Sequence, residues 1–129
     1  METEEDFNMS EAFHRFPPDG DPKTGMTPSN AVPASAFTTE DHRESRHKVF
    51  EAEDGSITSG VWECAPMSVE IDAYSTNEMM TILSGSLDLT DASGRKETFV
   101  AGDTFLIAKG AKVKLEITET LRKFYMIVR

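Results

Sequence analysis

From residue 46 onward the chain alternates apolar and polar positions over short runs. "KVKLEIT" places Val113, Leu115 and Ile117 on every second residue, and "MSVEIDAY" does the same with Val69, Ile71 and Ala73. A period of two predicts strands with one face buried. "RHKVFEA", "SITSGVWECA", "EMMTILS", "LDLT", "ETFV", "TFLIA" and "LRKFYMIVR" complete the set. Turn chemistry separates them: Asp54–Gly55, Pro66, a tight "GS" at Gly85, "DASGRK", "AGD" and "KGAK". Short strands so punctuated predict an all-β sandwich or barrel, and no stretch after residue 46 carries a long helical stripe.

The first 39 residues differ. Prolines stand at 17, 18, 22, 28 and 33, glycines at 20 and 25, and no periodicity persists. "NMSEAFHRF" predicts one short helical turn capped by Ser10. The expected organisation is an irregular N-terminal arm over 1–39 and a β-barrel over 40–129. The arm has too few apolar residues for a core of its own, so it is expected to lie on its own barrel or on a partner's.

Charge narrows the partners. A net charge of −10 leaves no basic face for a phosphate backbone and disfavours anionic membranes, so nucleic acid and membrane are excluded as expected partners. The acidic N-terminus is not a signal peptide, and no run approaches the ~18 apolar residues of a membrane span. The single cysteine, Cys64, has no intrachain disulfide partner. The expected setting is cytoplasmic.

The segment 60–129 resembles the cupin superfamily, a small jelly-roll barrel, and within it the short cupins related to ureidoglycine aminohydrolase and the ethanolamine-utilisation cupin. Glu78, "MMTILS" and Gly85 match the second half of the first cupin motif. Gly102, "DTFLIAKG" and Gly110 match the second motif, with Ala108 at its proline. "GVW" at 60–62 and "LRKFYMI" resemble the narrower branch, whose tail carries an "RK-x-Y" pattern. The resemblance implies a jelly-roll barrel with a site at its mouth, and a homodimer.

It also implies a metal held by histidines, and here the chain departs from the pattern. The histidine positions fall on Asp72, Tyr74 and Val113, beside Glu78; the three histidines present, His14, His42 and His47, all precede the first motif. A transition-metal site needs several converging imidazole, thiolate or carboxylate donors. Asp72, Tyr74, Glu78 and Val113 do not make one, so neither metal nor other cofactor is expected.

Glu78 then stands either as an exposed or salt-bridged carboxylate at a strand start or as an acid–base group in a partly apolar pocket, with Tyr74 as hydrogen-bond donor. Trp62 is a stacking surface or core. Cys64, two residues on, shares its face and is a small hydrophobe or a reactive thiol. Lys123 pairs with a carboxylate or points outward, and Asp72 supplies a further polar contact. The expected catalytic residues are Glu78 and Tyr74, and the expected ligand-binding residues are Trp62, Cys64, Asp72 and Lys123. Three function classes follow: a metal-independent isomerase, lyase or hydrolase acting on a small polar metabolite; a non-catalytic ligand-binding or accessory cupin; and a metal enzyme with an oxygen-rich site.

Overall fold

Alternating inward residues on the eight strands found among the described residues build the fold. The computed structural model describes residues 11–129. The strands are β1 (Thr27–Pro28), β2 (Glu44–Glu51), β3 (Ile57–Cys64), β4 (Met67–Ile71), β5 (Asn77–Asp91), β6 (Lys96–Val100), β7 (Thr104–Ile107) and β8 (Val113–Val128), with one 3₁₀ turn at Ala34–Ala36. All pairings are antiparallel, and the path runs β1-β2-β3-β8-β5-β6, with β4 on β8 and β7 on β5.

Two long strands tie the halves together. The first part of β8 lies between β4 and the far end of β5, and its second part between β3 and the near end of β5. This is a jelly-roll β-barrel with an irregular N-terminal arm. Met80, Ile82, Leu87, Ile117 and Leu121, each at most 2% exposed, form its centre. Among the described residues no helix is long and apolar enough to cross a membrane.

Three local expectations are corrected. "EMMTILS" and "LDLT" are one strand: the β5–β8 register shifts between Ile82 and Leu87, and Gly85, at φ +89°, sits in that irregularity instead of reversing the chain. A Cβ there would run into the Thr120 carbonyl of β8, so two strands approach where only glycine fits. "KVKLEIT" and "LRKFYMIVR" likewise merge into β8. Residues 11–16 carry no helix; Ser10, the expected cap, lies outside the described residues.

The arm packs on its own barrel. Thr27 and Pro28 pair with Arg46 and Ser45, placing a proline on the sheet edge, where its missing N–H costs no ladder bond. Phe16 meets Phe124 edge-on at 5.7 Å, and His14 meets Phe50 at 5.1 Å. Ala36 is buried, and Phe37 bridges to Met67.

Candidate functional site

β8 turns Lys123, Tyr125 and Ile127 toward the barrel interior, two residues apart. Register sets their neighbours. Trp62 on β3 lies opposite Lys123, Arg46 on β2 lies opposite Trp62, and Ile82 on β5 flanks Lys123 from the other side. Glu78 and Met80 follow on the same face of β5. Arg46, Trp62, Glu78, Lys123, Tyr125 and Ile127 line a cavity of about 520 Å³ whose apolar wall includes Leu87, Leu115, Ile117 and Leu121, while Met80 and Ile82 pack in the core.

A buried ion pair forms the polar wall. Lys123 Nζ donates to Glu78 Oε2 at 2.9 Å and contacts Met80 Sδ at 3.0 Å. Lys123 is 8% and Glu78 7% exposed. The ammonium also sits 4.7 Å from the centroid of the Trp62 ring, a cation–π contact. The Tyr74 hydroxyl donates to Glu78 Oε1 at 2.6 Å, so both carboxylate oxygens have a donor. Burial, then the Glu78 charge and the bond to it, push the Tyr74 phenol well above its ordinary range, and it stays a proton donor. Its backbone is clipped in place: Tyr74 N–H donates to the Ala111 carbonyl at 2.8 Å, and Gly110 N–H to the Tyr74 carbonyl at 2.7 Å.

A second carboxylate closes the arm side. Glu44 Oε2 accepts from Trp62 Nε1 at 2.9 Å and from Ser29 Oγ at 3.0 Å, and Oε1 accepts from Val32 N–H at 2.9 Å. Glu44 thus orients Trp62 and ties the arm to β2 and β3. Arg46 and Arg129 stand at the rim, both exposed, with Arg129 Nη1 donating to Thr58 Oγ1 at 2.8 Å. Tyr125 is 7% exposed, and burial raises its phenol above the ordinary value, so its O–H stays on.

The structure brings Trp62, Tyr74, Glu78 and Lys123 together on this cavity and places two other candidates elsewhere. Asp72 is exposed and lines a separate hollow with Glu70, Lys112 and Lys114. Cys64 is fully buried in the core, and burial followed by the Glu44 charge pushes its thiol to about 12, which keeps it protonated.

The donors do not fit a cupin metal. Val113 is apolar, Asp72 faces another hollow, and the Lys123 ammonium already lies against Glu78, where a metal cation would be repelled. No histidine among the described residues lines the cavity: His14 packs on Phe50, His42 stacks on Phe37 at 4.6 Å, and His47 lies opposite Val61. No group of three histidine, cysteine, aspartate or glutamate side chains among the described residues is placed to hold an ion.

Arg46, Glu44, Tyr125 and Arg129 were not singled out by sequence reasoning. Tyr125 had a usable signal, standing two residues after Lys123 and hence on its face. Glu44 and Arg46 lie on a strand whose inward face could be assigned only once its register with β3 was known.

Comparison with known proteins agrees with this fold. The EutQ-like cupin domain model matches residues 51–125, more than half of the chain. Among solved structures, a protein of unknown function of the DUF861 family from Pseudomonas syringae pv. tomato str. DC3000 is 26% identical, with a TM-score of 0.73 over 84% of this chain. The match covers 46% of that protein, so the present chain corresponds to about half of it. The Clostridium difficile EutQ protein is 19% identical (TM-score 0.56, covering 77% of this chain and 80% of that one). A cupin superfamily protein from Desulfitobacterium hafniense DCB-2 is 12% identical (TM-score 0.57, covering 71% and 83%). At those identities the last two show the fold alone. No curated protein matches significantly. The strand order, the glycine in the β5 irregularity and the match across 51–125 lead to one assignment: the chain belongs to the EutQ-like cupin domain family.

Proposed function

We propose that this protein binds a small polar metabolite in the barrel cavity, at a site organised by the Lys123–Glu78 ion pair in place of a metal. One observation carries the reading: a buried carboxylate, held by a buried ammonium on one oxygen and a half-buried phenol on the other, faces a cavity of about 520 Å³. That volume lies within the range of small-molecule sites, whose pattern is an apolar wall with a few placed polar groups. Binding is favoured over catalysis because both Glu78 oxygens already hold internal donors, which suits a fixed positioning group better than a free base.

A second reading has an observation of its own. Ionisable groups of opposite sign buried together in a cleft are a common mark of catalytic sites. On that reading Glu78, Tyr74 and Lys123 move a proton in a metal-independent isomerase, lyase or hydrolase.

A homodimer is part of the proposal. Leu106, Met79 and Met126 sit side by side on β7, β5 and β8 and stay 58%, 46% and 36% exposed, a strip that a second copy would cover. A monomer mass by light scattering at micromolar concentration would remove this part.

Thermal shift against a panel of small polar metabolites tests the binding reading. Some compounds are expected to raise the melting temperature of the wild type, and Glu78→Gln is expected to fold and lose most of that shift. Equal shifts in both proteins would place binding outside this site. Turnover of any stabilising compound, lost in Glu78→Gln, would favour the second reading.

A further inference from the structure

The polar groups lining the cavity divide into those with internal partners and those without. Its two carboxylates, Glu44 and Glu78, are both buried, and every oxygen of both already holds a donor: Glu44 accepts three hydrogen bonds and Glu78 two. Lys123 is committed to Glu78. The guanidinium of Arg46 has no ion pair or hydrogen bond among the described residues, and neither does the Tyr125 hydroxyl, although Tyr125 is more than nine-tenths buried. Arg129 uses Nη1 on Thr58 and Gly55. Register sets Arg46 opposite Trp62 and Tyr125 opposite Gly60, two residues apart on β3, and Arg46, Tyr125 and Arg129 all line the cavity.

Beside the neutral side chains of Thr27 and Asn30, the unengaged groups are thus the Arg46 guanidinium and the Tyr125 hydroxyl, and the charged one is cationic. Three cations face the cavity against two carboxylates, in a chain whose net charge is −10. A guanidinium presents paired N–H groups that match the two oxygens of a carboxylate or phosphate. Leu87, Leu115, Ile117 and Leu121 offer nothing polar beyond it. Resting on the binding reading above, we infer that the ligand is a small organic anion. Its acidic head lies on Arg46, Tyr125 and Arg129, and its apolar body lies against the leucine and isoleucine wall. A free amine would meet cations at the rim, and a neutral alcohol would leave the guanidinium of Arg46 without a counter-charge.

Trp62 reports on the site directly, because it is the single tryptophan of the chain and lines the cavity. Its emission is followed while the full chain is titrated with sodium hexanoate, hexyl phosphate, 1-hexanol, hexylamine and acetate. Hexanoate or hexyl phosphate is expected to bind at least about tenfold more tightly than hexanol, with hexylamine weaker still; a charge-assisted pair readily supplies that factor. Which of the two anions binds better identifies the head group. Acetate, lacking the body, is expected to bind weakly. Arg46→Gln is expected to abolish most of the preference for anions without lowering the melting temperature, since the Arg46 side chain is exposed and makes no internal contact of this kind. Tyr125→Phe is expected to weaken the anions and spare hexanol. Hexanol or hexylamine binding as well as the anions, or an Arg46→Gln protein that keeps the anion preference, would overturn the anion assignment and leave the cavity as a binding site. No change in Trp62 emission with any of the five would overturn both.

Discussion

Lys123 and Glu78 illustrate what one buried pair imposes on its surroundings. Each ion is removed from water, and their attraction offsets that cost only while both are present. Lys123→Met is expected to cost about 3–5 kcal/mol, because it leaves Glu78 charged and buried beside Tyr74 alone. Adding Glu78→Gln should restore much of that loss. Urea denaturation of the four proteins checks the cycle; additive losses would mean the two groups do not depend on each other. Cys64 gives a prediction in pH. Its folded-state pKa of about 12 lies above the ordinary 9.0, so its contribution is fully present below pH 9. Between pH 9 and 12 the unfolded thiol ionises and the folded one does not, and stability falls. Cys64→Ala should show a smaller alkaline loss than the wild type in melting curves. Glu78, Tyr74, Lys123 and Trp62 were legible in the chain because a motif or a period of two drew attention to them. The carboxylate of Glu44 was not, since nothing near residue 44 announces that Trp62, eighteen positions away, will need its indole N–H satisfied.

At the scale of elements, strand positions were readable and strand continuity was not. Alternation marks an inward face but is blind to a bulge, where two residues oppose one and the chain continues. Gly85 therefore looked like a turn. In the structure it is a left-handed residue inside β5, pressed against the Thr120 carbonyl of β8. Gly85→Ala should cost about 3 kcal/mol or more, from the positive φ and from the forced separation of β5 and β8. Gly94, at φ +88° in the exposed "DASGRK" turn, has nothing within reach of an added Cβ, so Gly94→Ala carries the φ strain alone and should cost less. Equal losses in chemical denaturation would show that the contact between β5 and β8 is not the cause.

For the whole molecule, the arm decides how much of the barrel meets water. Its prolines and glycines marked it as irregular, but its docking depends on tertiary neighbours: Phe16 on Phe124, His14 on Phe50, and Ser29 and Val32 on Glu44. The Arg122–Asp19 ion pair adds little, since the Asp19 side chain is 98% exposed. Asp19→Ala should leave the melting temperature unchanged, whereas Phe16→Ala should remove about 1–2 kcal/mol, a shift of roughly 5 °C or more. The reverse order would mean that charge, not ring packing, holds the arm.

We propose that the Lys123–Glu78 ion pair stands in place of a metal in this cavity. Elemental analysis of protein made without an affinity tag and never exposed to a chelator decides it. Well under one transition-metal ion per chain is expected, because Val113 and the Lys123-bound Glu78 cannot complete a set of three or four converging ligands. Iron, zinc or manganese at nearly one ion per chain, lost on Glu78→Gln, would contradict it.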